Sequence, residues 1–327
     1  MQFARKMKME SGIRAIAGWL IPVFFTLLTG CATLPDLTPY RDATVQLRSA
    51  VLAGGSAVQS GLDAAAGSYE AGDPAAQRIR ESSQKFTTDW NERIEAADAL
   101  VAYADTVADI ARSATEGPGA ARSLADSLGK LATGVGVVLP PSGTVAAATD
   151  AAAFIYGHIA AVRAAQSLDQ ALQSAQPAVD RVAILFAQDL RASQDLLRAS
   201  HRLQRDALVL KYNEEMGYLK ALTSERKKIY GKGSLRPEDE QRLKKIGELY
   251  EATLSWREPM EKDLAGMEST LKVRIGLIKA TQTAVAEWAA AHRNIAAAVR
   301  EKRSVNVEAL VQATLEAREL VRRLRAL

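Results

Sequence analysis

Apolar residues recur at spacings of three and four along most of the chain, and strictly alternating stretches are scarce, so the pattern predicts helices throughout. Thr38-Pro39 reads as a cap followed by a first helical position, opening a helix to about residue 71 with Val45, Leu47, Val51, Leu52, Val58 and Leu62 inward. The pair Gly54-Gly55 is placed to kink it. Asp73-Pro74 repeats the signal, and a second helix runs to about residue 115 on Ile79, Phe86, Trp90, Ile94, Leu100, Val101, Val107 and Ile110. Gly117-Pro118-Gly119 breaks it, and a shorter helix follows over about 120–133. Pro140-Pro141-Ser142-Gly143 reads as a turn, with helix resuming near Thr144 and continuing to about Ser174. Pro177 either starts a new helix or kinks the same one, which runs to about Tyr230.

Two features of this pattern predict the architecture. Leu196, Leu203 and Leu210 stand seven apart, with Ser193, Ser200 and Ala207 between them, a heptad-like seam thinned by small residues. After Gly231-Lys232-Gly233-Ser234, Pro237-Glu238-Asp239-Glu240 opens the longest helix, with acids over the positive end of its dipole. Its seam runs Leu243, Ile246, Tyr250, Thr253, Arg257, Met260, Leu264, Met267, Leu271 and, after a four-residue stutter, Ile275 to Val299, straight through Pro259. The short loop makes the two helices antiparallel neighbours. A last helix, about 307–326, uses Val307, Leu310, Val311, Val321 and Leu324, capped by Ser304 or Asn306. The expected fold is all-α: an elongated helical bundle over 38–327 whose spine is a long antiparallel coiled-coil hairpin, 177–302.

Composition agrees with this reading. Aromatic residues are 6% of the chain, and alanine is abundant enough for close helix contacts.

The start of the chain follows a different logic. Arg5, Lys6, Lys8 and Arg14 precede an uncharged run, Ala15 to Leu28, that ends in Leu28-Thr29-Gly30-Cys31 and contains Pro22. A basic region followed by a short apolar one reads as a secretory signal, too short for a comfortable membrane span. The ending resembles the lipobox of bacterial lipoprotein signal peptides. That resemblance covers residues 1–31 and implies cleavage between Gly30 and Cys31, with acylation of Cys31 on its sulfur and new amino terminus. Several acyl chains on one residue give stable anchoring. Ala32, rather than Asp, follows the cysteine; by the sorting rules the resemblance imports, this favours the periplasmic face of the outer membrane over the inner membrane. Residues 31–37 become an acylated cysteine and short tether, roughly 20 Å long when extended.

Removing the signal changes the charge balance. The chain has 42 Lys and Arg against 38 Asp and Glu; four of those bases and one acid lie in the signal, leaving 38 against 37 and a mature net charge of +1. The balance gives no argument for nucleic acid as a partner. Cys31 is the single cysteine, so no disulfide is expected and packing alone must hold the fold.

A search for chemistry returns little. His158, His201 and His292 fall on separate predicted helices without the paired spacings that bundle metal sites use; His292 reads as a seam residue and His201 as a surface one. No Gly-x-Ser-x-Gly elbow occurs. Gly134-Val135-Gly136 lacks the Gly-Lys-Ser/Thr ending and the preceding strand of a phosphate loop. Carboxylates pair with bases at helical spacing, as in Glu238–Arg242 and Glu240–Lys244. The expectation is therefore a non-enzyme with no catalytic residues, no metal and no cofactor beyond the lipid on Cys31.

Two stretches remain as candidate sites. From Leu131 to Val162 the only charge is Asp150, and Val135, Val137, Val138, Leu139, Phe154, Ile155 and Tyr156 are the larger apolar residues. They read as a close-packed hairpin with Phe154, Ile155 and Tyr156 filling a gap; alternatively the hairpin inserts into a membrane, and the architecture then looks like the α-helical pore-forming toxins, an analogy without matched motif residues. Each arm is dominated by Ala, Gly and Thr, weakly apolar for a bilayer. The second stretch is the basic tip of the long hairpin, Arg226, Lys227, Lys228, Lys232 and Arg236, a solvated end or a contact for an anionic partner, diluted by Glu225, Glu238, Asp239 and Glu240. The function expected from the whole is a lipid-anchored envelope scaffold, spacer or assembly factor that touches the membrane through its anchor and binds protein partners, the cell wall or further copies of itself; the alternative is a membrane-active, pore-forming-like protein using 131–162.

Overall fold

The described residues form seven helices and no strand. A computed structural model describes residues 34–70, 72–115, 117–136 and 145–327. The helices are α1 (Thr38–Gly67), α2 (Pro74–Arg112), α3 (Pro118–Gly136), α4 (Val145–Ala164), α5 (Leu168–Tyr230), α6 (Pro237–Glu301) and α7 (Glu308–Arg325). Residues Leu34–Leu327 form one compact unit. The Pro-Pro turn expected at 140–141 lies outside the described residues.

Local chemistry explains the helix starts. At α1 the cap falls one residue earlier than expected, on Leu37, because Asp36 Oδ1 accepts from the Thr38 N–H at 2.9 Å and Pro39 needs no partner. Asp73 caps α2 as the sequence predicts, its carboxylate 2.7 Å from the Ala75 N–H. A break the pattern did not predict separates α4 from α5 at 165–167. Ser167 adopts extended backbone as the cap of α5, its hydroxyl turned to Asp169 in the first turn. The single helix expected over 144–174 is therefore two, and Pro177 lies inside α5, which begins at Leu168 rather than at the proline. Pro259 likewise lies within α6, as its uninterrupted seam predicts.

The core runs through all seven helices. Tyr40, Leu47, Val51 and Val58 of α1 meet Phe86, Trp90, Leu100, Tyr103 and Val107 of α2; Leu124, Leu128 and Leu131 of α3 and Ile155 of α4 join Leu172, Val179, Val182 and Phe186 of α5, Trp288 and Ile295 of α6, and Leu310 of α7. Burying each such side chain contributes about 1.5–3 kcal/mol. Val45, expected inward, is 39% exposed. The glycine pair of α1 proves to be a packing device: a Cβ on Gly55 would stand 1.9 Å from Trp90 Nε1, so only glycine lets the indole lie against the helix.

α5 and α6 run antiparallel. Gln176 meets His292, Gln194 meets Gln282, His201 meets Glu268 and Glu225 meets Arg242, pairs that step up one helix while stepping down the other. Their environments change along their length. Between Leu277 and Ala298, α6 is buried on several faces at once, because α1 and α7 pack on it as well as α5. Towards the loop the core thins to a small cluster, Leu222, Ile229 and Ile246 with Leu243 and Leu249. The heptad-like seam expected on α5 is buried only at its serines: Ser193 and Ser200 face inward together with Leu197, which lies off that seam, whereas Leu196, Leu203 and Ala207 are half-buried and Leu210 is 67% exposed. On α6, Leu249 rather than Tyr250 turns to the partner helix. With two or more neighbours at different angles, the buried stripe follows the tertiary contacts rather than a strict 3.5-residue period.

Candidate functional site

The proposed lipidation position, Cys31 with Gly30, lies outside the described residues, as do Val137, Val138 and Leu139. Val135 falls in the last turn of α3, its side chain outside the described set. In α4, Ile155 is fully buried, whereas Phe154 and Tyr156 are 45% and 50% exposed. The expectation that all three fill an internal gap is corrected: successive residues on a helix stand about 100° apart, so one inward position turns its neighbours outward. The Phe154 ring lies tilted at 59° against that of His158 with centroids 4.8 Å apart, and Tyr156 Oη lies 3.0 Å from Thr133 Oγ1 of α3. Among the described residues no helix is long and apolar enough to cross a membrane.

The basic tip is partly neutralised by its own hairpin. Lys232 Nζ and Arg236 Nε donate to the two oxygens of Asp239, at 2.6 and 3.3 Å, and the Arg236 N–H adds a third bond at 3.2 Å. The Asp239 side chain is 4% exposed, and these donors, the Lys232 ammonium foremost, hold its carboxyl down to about 2. Arg226 lies over the Tyr230 ring at 5.8 Å, and Glu225 pairs with Arg242 at 3.1 Å. Lys227 and Lys228 occupy the last turn of α5, where cations suit the negative end of the helix. Two of the five bases thus close the loop rather than face a partner.

A strongly perturbed ionisable group is one the sequence placed only on a seam. His292 is fully buried in α6 between Tyr103 of α2 and Gln176 of α5. Gln176 Nε2 donates to Asp180 Oδ1 at 2.8 Å and to the Ala289 carbonyl at 3.2 Å, which turns Oε1 to accept from His292 Nδ1–H at 2.7 Å. His292 Nε2 therefore carries the lone pair that accepts the Tyr103 hydroxyl proton, also at 2.7 Å. Asp180 is held in turn by Arg293 at 2.6 Å, so the chain of bonds runs from the core to the surface with each member satisfied. Burial, with the nearby Arg293 charge adding to it, lowers the His292 pKa to about 3 and keeps the ring neutral. The Tyr103 hydroxyl is pushed up by the same burial. Tyr40 and Tyr103 flank Trp288, at 6.4 and 6.3 Å between centroids. With the imidazole fully buried, this network ties α2, α5 and α6 together. The sequence signal was a histidine on an otherwise apolar seam; its partners lie 189 and 116 residues away and could not be read.

A second buried polar contact joins α2 to α5. Arg93, 2% exposed, donates from Nη1 to the Asp89 carbonyl at 2.6 Å and lies 3.3 Å through Nε from Asp189. Burial raises the Asp189 pKa, and the Arg93 charge partly offsets that rise. His201, expected at the surface, is only 13% exposed and lies 3.3 Å from Glu268. Neighbouring helices supply what covers it, which one helix's pattern does not contain. Among the described residues no group of three or more His, Cys, Asp or Glu side chains could hold a metal ion.

Comparison with protein-family models, with curated proteins and with solved structures finds no match to this chain.

Proposed function

We propose that the protein is a lipid-anchored component of a bacterial cell envelope that acts by docking other proteins along the loop-proximal half of the α5–α6 hairpin. The observation that carries this reading is the character of that half. Among the described residues its buried apolar side chains are few, Leu219, Leu222, Ile229, Ile246 and Met260, yet it leaves Leu210, Tyr218, Tyr230, Leu235 and Tyr250 exposed by 36–67%. Tyrosines with exposed rings and apolar neighbours are the residue types that anchor protein–protein interfaces, since they bury large area at small cost in conformational entropy. The opposite half of each helix is embedded in the seven-helix core, which supplies a rigid base. The lipobox-like Leu28-Thr29-Gly30-Cys31 supplies the anchor and the envelope address. In this reading the chemistry is recognition and placement, as scaffold, spacer or assembly factor, with no substrate turned over.

The test has two parts. Growth with radiolabelled palmitate should label the wild-type protein and leave Cys31→Ala unlabelled; label retained in Cys31→Ala removes the anchor from the reading. A photo-cross-linking residue placed at Tyr218 or Tyr250 in cells should join the protein to one defined envelope protein or to itself, while the same residue at the exposed Leu315 of α7 should not. Equal, diffuse cross-linking from both regions overturns the docking role.

A further inference from the structure

Where α1, α6 and α7 part, they leave a groove of about 810 Å³. Leu52 and Ser56 of α1 form one wall, Val321 and Leu324 of α7 the other, and Arg274 of α6 with Ser60 of α1 closes the end. Arg274 also borders a smaller cavity of about 150 Å³ on its α5 side, so its guanidinium, with Nη1 set against Gly61, stands between two spaces.

The charge of Arg274 is unbalanced. Its Nη2 donates to Ser60 Oγ at 2.9 Å, its Nε is shielded from water yet meets no acceptor, and among the described residues no carboxylate lies within ion-pair distance of it. The contrast with Arg93 is direct, since that guanidinium is met by Asp189 and by a backbone carbonyl. A cation partly removed from water without a counter-ion is costly, and an oxyanion placed against it gains charge-assisted, two-pronged hydrogen bonds that neither water nor a hydroxyl matches. Ser60 and Ser56 add hydroxyl donors beside it, and the rim carries Arg325. Beyond the headgroup position the walls turn apolar with Leu52, Val321 and Leu324.

We infer that this groove is a binding site for an amphiphilic anion, whose carboxylate or phosphate headgroup sits on Arg274 and Ser60 and whose apolar body lies between Leu52 of α1 and Val321 and Leu324 of α7. The site is separate from the hairpin surface proposed for protein docking and stands without it. Isothermal titration of the purified full chain with octanoate, with octyl phosphate and with inorganic phosphate tests it. Saturable binding of one or both alkyl anions is expected, with the stronger of the two naming the headgroup. Arg274→Gln should weaken it tenfold or more. Ser56→Phe, at an exposed α1 position that leaves the guanidinium in place, should block it by filling the groove. No saturable binding of either alkyl anion, binding unchanged in both variants, or inorganic phosphate binding as tightly as octyl phosphate would each overturn the inference. The last outcome would mean that the apolar walls contribute nothing. Helical circular dichroism unchanged in Ser56→Phe keeps the test valid even where Arg274→Gln loosens the bundle.

Discussion

The buried imidazole of His292 makes the fold sensitive to mild acid by an amount that follows from its environment. In the unfolded chain a histidine takes up a proton near pH 6.5; in the folded chain burial lowers that value to about 3. The folded state thus binds fewer protons than the unfolded state throughout that window. Stability is fully present above 6.5 and is lost as pH falls, by up to 1.36 kcal/mol per pH unit, until the loss levels off near 3. Between pH 7.5 and 5 the expected loss from this group is about 2 kcal/mol. The carboxyls whose pKa values are lowered, Asp36, Asp239, Glu301 and Glu319, lose their contributions in more acidic solution. His292→Gln isolates the effect, because a neutral amide can still meet Tyr103 and Gln176 but has no proton to gain. Urea unfolding followed by circular dichroism at both pH values gives four stabilities. The variant should be less stable than wild type at pH 7.5, through imperfect packing, yet lose about 2 kcal/mol less on acidification. An equal loss in both proteins would show that the ring is not held neutral by burial and would refute the account of the network.

Three further outcomes follow from packing and charge. Gly55→Ala should destabilise by about 1–2 kcal/mol, an overpacking cost against Trp90 reduced by the better helix propensity of alanine, whereas Gly247→Ala, which meets nothing within 4 Å, should stabilise by about 0.5–1 kcal/mol; urea midpoints decide both. Ile155→Asp, at a fully buried position, should cost about 3–5 kcal/mol, while Phe154→Ser on the exposed face should stay within about 1 kcal/mol of wild type; a folded, equally stable Ile155→Asp protein that lost a membrane activity would favour the insertion reading of this hairpin. Arg93→Met should cost about 3–5 kcal/mol by leaving Asp189 uncompensated, the deficit should shrink as pH falls and Asp189 is protonated, and adding Asp189→Leu should restore most of the loss at neutral pH.

Sequence alone determined the secondary structure of this protein, because the signals involved are local. Asp73-Pro74 and Pro237 with its following acids open α2 and α6 through caps and dipole, and the three-and-four spacing of apolar residues carries α6 through Pro259. The exception is Ser167-Leu168-Asp169, where a serine cap divides in two the helix that the apolar spacing carries through. Which face of each helix is buried was only partly legible. A single seam predicts one stripe, but α1 and α7 bury α6 on further faces, and Leu210 is exposed on the loop-proximal half of α5. The polar sites were not legible at all. Tyr103, His292 and Gln176, Arg93 and Asp189, and Arg274 with Ser60 are drawn together from positions 96 to 214 residues apart, and no spacing rule links residues whose meeting depends on how long helices pack. Helix formation is decided within a few turns of chain, and the state of a charge by everything that surrounds it, so only the tertiary structure reveals that burial holds His292 neutral, that Arg93 answers Asp189, and that among the described residues no carboxylate reaches Arg274.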